Sequence, residues 1–297
     1  MRFDYKLLQA LDAVVAAQSF ERAAARLAIS QSAVSQRIRL LEQQLGEPLL
    51  VRSQPPVCTS RGRQLLGHYQ RVALLEQELA TQIDDITHTP LRLPIAVNAD
   101  SLATWLLDAC HPWLMNGQIE LHFSVENEAL TWRKMQSGEV LGAVTSRAKP
   151  VSGAQSTYLG HLTYLCVASA EFKARYFPHE APSIAQLRVA PAIAYDQRDD
   201  MHFQYIDRFF GLKSGDYPCH TVRSSEAFVS MATAGYAYCM ISRQQIVKQL
   251  ASAELIDLLP EHHLSVPLYW HDWLFAGTQM KAIREHLVKV AKDWLDQ

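Results

Sequence analysis

The sequence predicts a protein of two parts, an all-α N-terminal domain that ends in a long helix and a C-terminal α/β domain of two lobes. Apolar residues recur at helical spacing through about the first ninety residues. From residue 91 onward, short apolar runs alternate with helical patterns, which predicts parallel strands joined by helices. A chain of 297 residues also exceeds what one compact core normally organises. We expect domains at 1–60 and 91–297, joined by a helical linker at 61–90.

Composition excludes several classes of protein. The longest apolar runs, such as Leu102–Leu107, are far shorter than the about 20 residues needed to cross a bilayer. The start, Met1–Tyr5, is charged and lacks the features of a signal peptide, so we expect a cytoplasmic protein without a membrane partner. The cysteines are odd in number and far apart, which argues against a disulfide framework or a zinc cluster. They are Cys58, Cys110, Cys166, Cys219 and Cys239.

The first domain begins with a periodic helix and continues with two more helices, of which the first is short. Ser19 is placed to cap an alanine-rich helix over Phe20–Leu27, whose small surface lets another helix approach closely. Ser30 or Ser32 can cap a third helix, which Gly46 ends. The apolar face of this third helix carries Val34, Ile38, Leu41 and Leu45.

The opposite face of the third helix predicts contact with DNA. Its side chains are amides, hydroxyls and guanidiniums, which reach base edges and phosphates, whereas an ordinary solvent face usually mixes Glu and Lys. A short strand, a turn at Gln54–Pro56 and a return strand follow, so the unit is a winged helix-turn-helix. The candidate DNA-binding residues are Ser30, Gln31, Ser32, Ser35, Gln36, Arg37, Arg39, Gln43, Arg52 and Arg61.

Charge is distributed in a way that supports this assignment. The whole chain has a net charge of -2, yet residues 22–71 contain eight arginines and two glutamates, a net charge of +6. A localised basic segment on a mildly acidic protein is the expected electrostatic footprint of a DNA-binding module.

The long helix is expected to run from about Thr59 or Ser60 to Ile86. Its apolar seam, at positions 65, 69, 72, 75, 79, 83 and 86, predicts dimerisation by coiled-coil packing against a second copy. The alternative is that the seam packs on the next domain of the same chain. A polar break at Thr87–Pro90 suits a hinge.

The C-terminal domain is predicted to form two lobes. Strands at 91–97, 119–125 and 140–145, with helices at 101–115 and 129–137, form the first lobe. Strands near 162–168, 190–195, 219–222, 236–241 and 255–258, with helices at 201–210, 225–234 and 243–250, form the second. A last strand at 266–271 and a helix at 279–294 fit a return to the first lobe. The lobes therefore comprise 91–161 with 266–297, and 162–265.

Several segments together resemble the LysR family of bacterial transcription regulators. They are Phe20–Ala24, Gln31–Ile38, Leu41-Glu42, Leu45-Gly46 and Pro48-Leu49. The resemblance implies operator binding, RNA polymerase as a partner and a homodimer or homotetramer. It also implies an effector-binding domain similar to periplasmic binding proteins. Pro55-Pro56 depart from the family pattern, because many members carry a basic wing tip there.

Further segments, at 97–107, 224–229, 254–258 and 268–271, resemble one type of LysR regulator that responds to lysine and arginine. That type controls genes of basic amino-acid export and lysine synthesis and is also described as an inhibitor of chromosome initiation. The resemblance implies L-lysine or L-arginine as effector, with no cofactor and no metal.

Ligands of such sheets bind beyond the carboxyl ends of strands, where helix N-termini suit a carboxylate and nearby acids suit a cation. The candidate effector-binding residues are Asp100, Ser101, Glu126, Thr145, Asp196, Asp199, Ser224 and Ser225. For each serine alone, a helix-capping role is an equal alternative. For each acid, a solvated loop position is the alternative.

Two other functions are the alternatives to a ligand-controlled regulator. An enzyme built on the α/β domain finds little support, because the sequence contains no G-x-G-x-x-G, G-x-x-x-x-G-K-[ST], H-E-x-x-H or G-x-S-x-G motif. An architectural or replication-origin DNA-binding protein without ligand control is the second alternative.

Overall fold

The computed structural model describes residues 3–51, 53–83, 90–117, 119–179, 181–196, 200–274 and 277–297. The predicted hinge therefore lies outside the described residues except for Pro90, as does the predicted end of the long helix at Ile86. No described helix is both long and apolar enough to span a membrane.

Three helices form the N-terminal domain: α1 (Tyr5–Ala17), α2 (Phe20–Leu27) and α3 (Gln31–Leu45). The Ser19 hydroxyl accepts a hydrogen bond from the Arg22 N–H at the start of α2. The Ser30 hydroxyl accepts one from the Ala33 N–H at the start of α3. Each serine satisfies a backbone donor that a helix start leaves without a partner. The predicted bounds of α2 and the capping of α3 are confirmed.

The apolar face of α3 is buried in the core of this domain. Val34 and Ile38 pack in one cluster with Leu8 and Leu11 of α1. Burial of this face directs the opposite face of α3 to solvent. The helical period read from the sequence is therefore confirmed.

The wing is a two-stranded antiparallel ribbon, β1 (Leu50–Val51) and β2 (Val57–Cys58). Glu42 of α3 accepts a hydrogen bond at 2.9 Å from the backbone N–H of Leu49, just before β1. This bond fixes the start of the wing to α3, so the two elements share one orientation.

Helix α4 (Ser60–Ile83) packs on both domains of its own chain. Leu65 belongs to the N-terminal core and Leu74 to the core of the C-terminal domain. The guanidinium of Arg71 lies 4.1 Å from the centre of a Trp273 ring, a cation–π contact. This is the in-chain packing that the sequence left as an alternative. Leu75 and Leu79 remain 41% and 56% exposed, so an apolar surface of α4 stays open.

The C-terminal domain begins with a βαβ arrangement. Its first elements are β3 (Leu91–Val97), α5 (Ala99–Ser101), a π-helical turn (Leu102–Leu106), α6 (Leu107–Asn116), β4 (Ile119–Val125), α7 (Glu128–Ser137) and β5 (Gly142–Thr145). Strand β3 runs parallel to both β4 and β5. With α13 (Gly277–Trp294), these elements form the first lobe.

The second lobe follows the long strand β6 (Ala154–Ser169). Its elements are α8 (Ala170–Tyr176), α9 (Ile184–Leu187), β7 (Ala192–Ala194), α10 (Asp200–Phe210), β8 (Cys219–Thr221), α11 (Ser225–Thr233), β9 (Tyr238–Ser242), a 3-10 turn (Arg243–Gln245), α12 (Val247–Ala251) and β10 (Leu255–Asp257). Strand β11 (Leu264–Trp273) then returns to the first lobe.

The described strands of the C-terminal domain form one nine-stranded sheet. Their order is β4-β3-β5-β11-β6-β9-β7-β8, and β10 pairs with β6. Strands β6 and β11 pair antiparallel along their length and connect the two lobes. The predicted fold class, a winged helix-turn-helix followed by a two-lobed α/β domain, is confirmed.

Several predicted elements need correction. Strand β6 begins at Ala154 rather than near residue 162, and β11 extends to Leu264–Trp273. Both strands are longer because they pair with each other across the two lobes, a long-range effect. Helices α8 and α9 were not predicted. The helix expected at 243–250 is a 3-10 turn followed by α12.

We predict that Gly67→Ala lowers the free energy of unfolding by about 1–3 kcal/mol. A Cβ on Gly67 would lie 2.1 Å from the Gly138 carbonyl oxygen at the end of α7. The same change inside an open helix would instead stabilise it by up to about 1 kcal/mol. Urea unfolding measures the effect.

Glu76→Ala, an exposed position of the same helix, is the control and should change stability by less than about 0.5 kcal/mol. A Gly67→Ala protein more stable than the wild type would contradict close packing of α4 on the first lobe.

Candidate nucleic-acid interface and ligand cleft

The predicted recognition face of α3 points to solvent. Exposed positions on this face are Ser30, Gln31, Ser32, Gln36, Arg39 and Gln43, while Ser35 and Arg37 are half-buried. The hydroxyl of Ser30 also caps the helix and lies 2.9 Å from that of Ser32. These side chains form a continuous polar surface along one helix, the arrangement needed to contact base edges in a major groove.

The recognition face carries little negative charge. Glu42 is the one acid within α3, and its side chain is engaged with the backbone N–H of Leu49. Because that carboxylate is used to hold the wing, the outward surface of α3 presents Arg37 and Arg39 without a competing acid of the same helix. Such a surface attracts DNA phosphates.

The arginines that flank the wing have contacts within the protein. Arg61 donates to Glu47 at 2.6 Å and to Gln64 at 3.2 Å. Arg63 donates to the Cys58 carbonyl oxygen at 2.7 Å. Arg52, the third of them, lies outside the described residues. A phosphate contact by Arg61 therefore requires that its guanidinium exchange an exposed carboxylate partner for the phosphate.

An open groove of about 590 Å³ adjoins the recognition face. It lies between the wing, the start of α2 and the start of α3, and Gln31 and Ser35 line it together with Ser53, Gln54 and Ser19. Ser19, Ser53 and Gln54 were not among the predicted DNA-binding residues, because they come from segments other than α3. The groove therefore extends the candidate interface beyond α3.

A second cavity, of about 640 Å³, lies between the two lobes of the C-terminal domain. Residues that follow the parallel strands β3, β4, β5 and β7 reach it, as do residues of α10 and α11. The carboxyl ends of such strands are the usual ligand position in α/β sheets. We refer to this cavity as the cleft.

Asp100 connects the two walls of the cleft. Its Oδ1 accepts a hydrogen bond at 2.6 Å from the Ser225 hydroxyl of the second lobe. Its Oδ2 accepts one at 2.6 Å from the Tyr164 hydroxyl of β6. Asn98, the N-cap of α5, orients this loop by accepting from the Ser101 N–H. The carboxylate of Asp100 is thus held at the contact between the lobes.

Glu128 is fixed by the first lobe itself. One carboxylate oxygen accepts from the Thr145 hydroxyl and the other from the Ser146 backbone N–H at 3.0 Å. The guanidinium nitrogen of Arg147 lies 3.4 Å from the same side chain. With both oxygens engaged, Glu128 shapes the cleft wall.

The other two acids of the cleft have looser or more exposed partners. Glu126 lies 3.7 Å from the ammonium of Lys134, which is closer to Glu139. Asp196 is largely buried and pairs at 2.7 Å with Arg223, whose side chain is 73% exposed. A long ion pair, as at Glu126, and an ion pair with an exposed partner, as at Asp196, each contribute little energy, so a ligand cation can compete with both contacts.

The cleft brings together four of the predicted effector-binding residues: Asp100, Glu126, Asp196 and Ser225. Three others lie outside the lining. Ser101 is fully buried and Thr145 binds Glu128. Ser224 caps α11 and donates to Glu226, which matches the alternative role for this serine. Asp199 lies outside the described residues.

Other lining residues were missed. The sequence did not point to Tyr164 and Tyr195, because a tyrosine in a predicted strand is expected to be a core residue. Arg133 and Arg208 lie in helices whose orientation toward the cleft depends on packing. Burial, and next the nearby Asp100 carboxylate, raise the pKa of Tyr195 above its ordinary value. Its phenol therefore stays protonated and able to donate near neutral pH.

The described lining residues combine four acids, Asp100, Glu126, Glu128 and Asp196, with two arginines, Arg133 and Arg208. This set can pair two cationic groups and one carboxylate of a small molecule. The described His, Cys, Asp and Glu side chains include no group of three or more suited to a metal ion.

Comparisons with known families agree with this two-part organisation. Residues 5–63 match the family model described as bacterial regulatory helix-turn-helix protein, lysR family. Residues 92–292 match the LysR substrate binding domain. Together the two models cover most of the chain.

Individual relatives are similar over nearly the whole length. The chain is 52% identical to the HTH-type transcriptional regulator ArgP of Aeromonas salmonicida, covering 96% of this chain and 95% of that protein. It is 48% identical to ArgP of Photobacterium profundum, covering 99% of each.

Solved structures give the same result. ArgP of Mycobacterium tuberculosis is 32% identical, with a TM-score of 0.83 over 99% of each chain. Full-length LysG of Corynebacterium glutamicum, solved with bound effector arginine, is 29% identical, with a TM-score of 0.76 over 99% of this chain and 100% of that one.

We predict that His202, at the start of the cleft-lining helix α10, makes stability depend on pH. Burial lowers its pKa from 6.5 to about 4. Between these values the unfolded chain binds a proton that the folded chain does not, so the free energy of unfolding falls as pH drops from 6.5 toward 4. The full loss is about 3 kcal/mol.

Urea unfolding at pH 6.5 and 4.5 measures this loss in the wild type, in His202→Phe and in His220→Phe, an exposed control. The difference between the two pH values should shrink in His202→Phe and stay unchanged in His220→Phe. An equal pH dependence in all three proteins would contradict the shift at His202.

Proposed function

The chain belongs to the LysR family of bacterial transcription regulators, and we propose that it controls genes in response to lysine or arginine bound in the cleft. α3 reads the operator from the major groove. The wing and the adjoining groove follow the DNA backbone. The observation that carries the ligand assignment is the charge of the cleft, four acids and two arginines on facing lobes.

A basic amino acid carries three charged groups that this cleft can pair. Arg133 or Arg208 binds its carboxylate, since guanidinium groups form two parallel hydrogen bonds with a carboxylate. Its α-ammonium and side-chain cation bind acids of the lining. The candidates are Glu126, which lies 3.7 Å from Lys134, and Asp196, which pairs with the exposed Arg223. A neutral ligand would cover one of these acids and shield it from water without offering it a cation. The arginine-bound LysG relative supports this assignment.

The proposal also covers the regulated genes, the cellular partner, the compartment and the oligomeric state. The regulated genes serve basic amino-acid export or lysine biosynthesis, and the regulator acts on RNA polymerase in the cytoplasm. The exposed Leu75 and Leu79 of α4 support a dimer, because an apolar seam on a long helix is stabilised by a second copy. A homodimer or homotetramer then binds paired half-sites.

We predict that the full-length protein binds L-lysine or L-arginine with heat measurable by titration calorimetry. Norleucine has the carbon chain of lysine without its ammonium, so it is the matched control. It should bind at least about 100-fold more weakly, because its methyl end gains no ion pair with an acid of the lining and shields that acid from water. Equal affinity for lysine and norleucine, or no heat with either basic amino acid, would exclude this ligand class.

We predict that Arg39→Ala weakens operator binding by about 10- to 100-fold, because a guanidinium contact to bases or phosphates is lost. The probe is a DNA fragment selected by the wild-type protein from a random pool, and fluorescence anisotropy at fixed salt gives the affinity. Arg188→Ala removes the same charge from an exposed position of the second lobe and should bind normally. Unchanged affinity of Arg39→Ala would contradict the assignment of α3, and sedimentation verifies that its oligomeric state is unaltered.

Two further assays separate the alternatives. A footprint on the selected DNA that is identical with and without lysine would favour an architectural protein. Conversion of lysine into any product by the purified protein would favour an enzyme.

A further inference from the structure

The segment Leu295–Gln297, which follows α13, pairs with the strand that connects the lobes. The backbone N–H of His161 donates to the Asp296 carbonyl oxygen at 2.7 Å, and the Asp296 N–H donates back at 3.1 Å. Gly160 has a φ of 136°, and a Cβ there would lie 2.7 Å from Cβ of Leu295. This close approach on β6 requires glycine. The segment Leu295–Gln297 is therefore held tightly against the middle of β6, between the half of that strand in the first lobe and the half in the second.

The Asp296 carboxylate extends this contact to the second lobe. Its Oδ2 accepts from the Thr163 hydroxyl of β6 at 2.5 Å and from the Gln244 amide at 3.3 Å. Gln244 belongs to the 3-10 turn Arg243–Gln245 of the second lobe, whereas α13 belongs to the first. Asp296 thus links the lobes on a side of the domain that does not line the cleft.

The neighbouring residue of the same turn, Gln245, contacts a residue that lines the cleft. Oε1 of Gln245 lies 2.8 Å from the Ser225 hydroxyl, which also lies 2.6 Å from Oδ1 of Asp100. One hydroxyl proton serves one acceptor, so Ser225 donates to Asp100. A 180° rotation of the Gln245 amide then places its nitrogen as a donor to Ser225. From one short turn, Gln244 therefore contacts the C-terminal segment and Gln245 contacts a residue of the cleft lining.

We propose that Asp296 is a positioning residue for the effector response: it holds the turn Arg243–Gln245 so that Gln245 presents Ser225 to Asp100 across the cleft. The proposal rests on the function assigned to the cleft. Loss of this link leaves the binding residues intact but lowers the population of the conformation in which the two walls meet. The apparent affinity for a ligand that contacts both lobes falls by the same factor.

The test is calorimetric titration of the full-length protein with L-lysine and L-arginine. Asp296→Ala is expected to raise Kd by about 5- to 10-fold. Asp296→Asn keeps an acceptor oxygen of the same shape and is expected to recover most of the affinity. Asp293→Ala, an exposed position of α13, is the matched control with wild-type Kd. Affinity for the selected DNA without amino acid is expected to stay unchanged in all three variants.

Gln244→Ala removes the other side of the link without altering the Asp296 backbone pairing, and its expected Kd matches that of Asp296→Ala. Gln249→Ala is its control in the second lobe. Wild-type Kd in both Asp296→Ala and Gln244→Ala would overturn the proposal while leaving the proposed function in place. Absence of binding by the wild type would overturn the proposed function and the role of Asp296 with it.

Discussion

The antiparallel ladder between β6 and β11 determines the geometry of the whole C-terminal domain. It runs from Ala154 opposite Trp273 to Tyr164 opposite Leu264, and its two ends recruit different neighbours. Strand β5 pairs with one end of β11, and β9 pairs with the other end of β6. Because both lobes are built on the same two strands, their loops face each other across the cleft. The register shifts between Leu268, which faces Gly160, and Tyr269, an irregularity of the kind that bends a strand locally.

Local signals in the sequence were sufficient for the helical domain. The spacing of Val34, Ile38 and Leu41 and the capping residue Ser30 describe interactions within a few residues, and the structure confirms them. The start of β6 could not be predicted in this way, because its first residues lack apolar alternation and become a strand through pairing with β11. The contacts of Asp100 with Ser225 and of Thr163 with Asp296 join residues 125 and 133 positions apart. No local pattern encodes such pairs.

The candidate site residues show the same difference between local and long-range signals. Polar side chains near predicted strand ends pointed to Asp100, Asp196 and Ser225, because the topology of the sheet brings strand ends together. The same criterion could not distinguish cleft residues from Ser101, which is buried, or from Ser224, which caps a helix. Within the DNA-binding domain, a count of charges does not show which arginines have partners inside the protein. Arg61 and Arg63 are engaged by Glu47 and by a carbonyl oxygen, and each such contact can be known only from the folded chain.

The contact of Gly67 with Gly138 has a mechanical consequence. Side chains absorb small displacements by changing rotamer, but here two backbones touch with no side chain between them. A displacement of the first lobe at Gly138 would therefore press directly on the backbone of α4. Leu65, half a turn earlier in α4, is embedded in the core beneath α3. The first lobe is consequently coupled through the backbone of α4 to the domain that carries α3, with no flexible side chain at the joint.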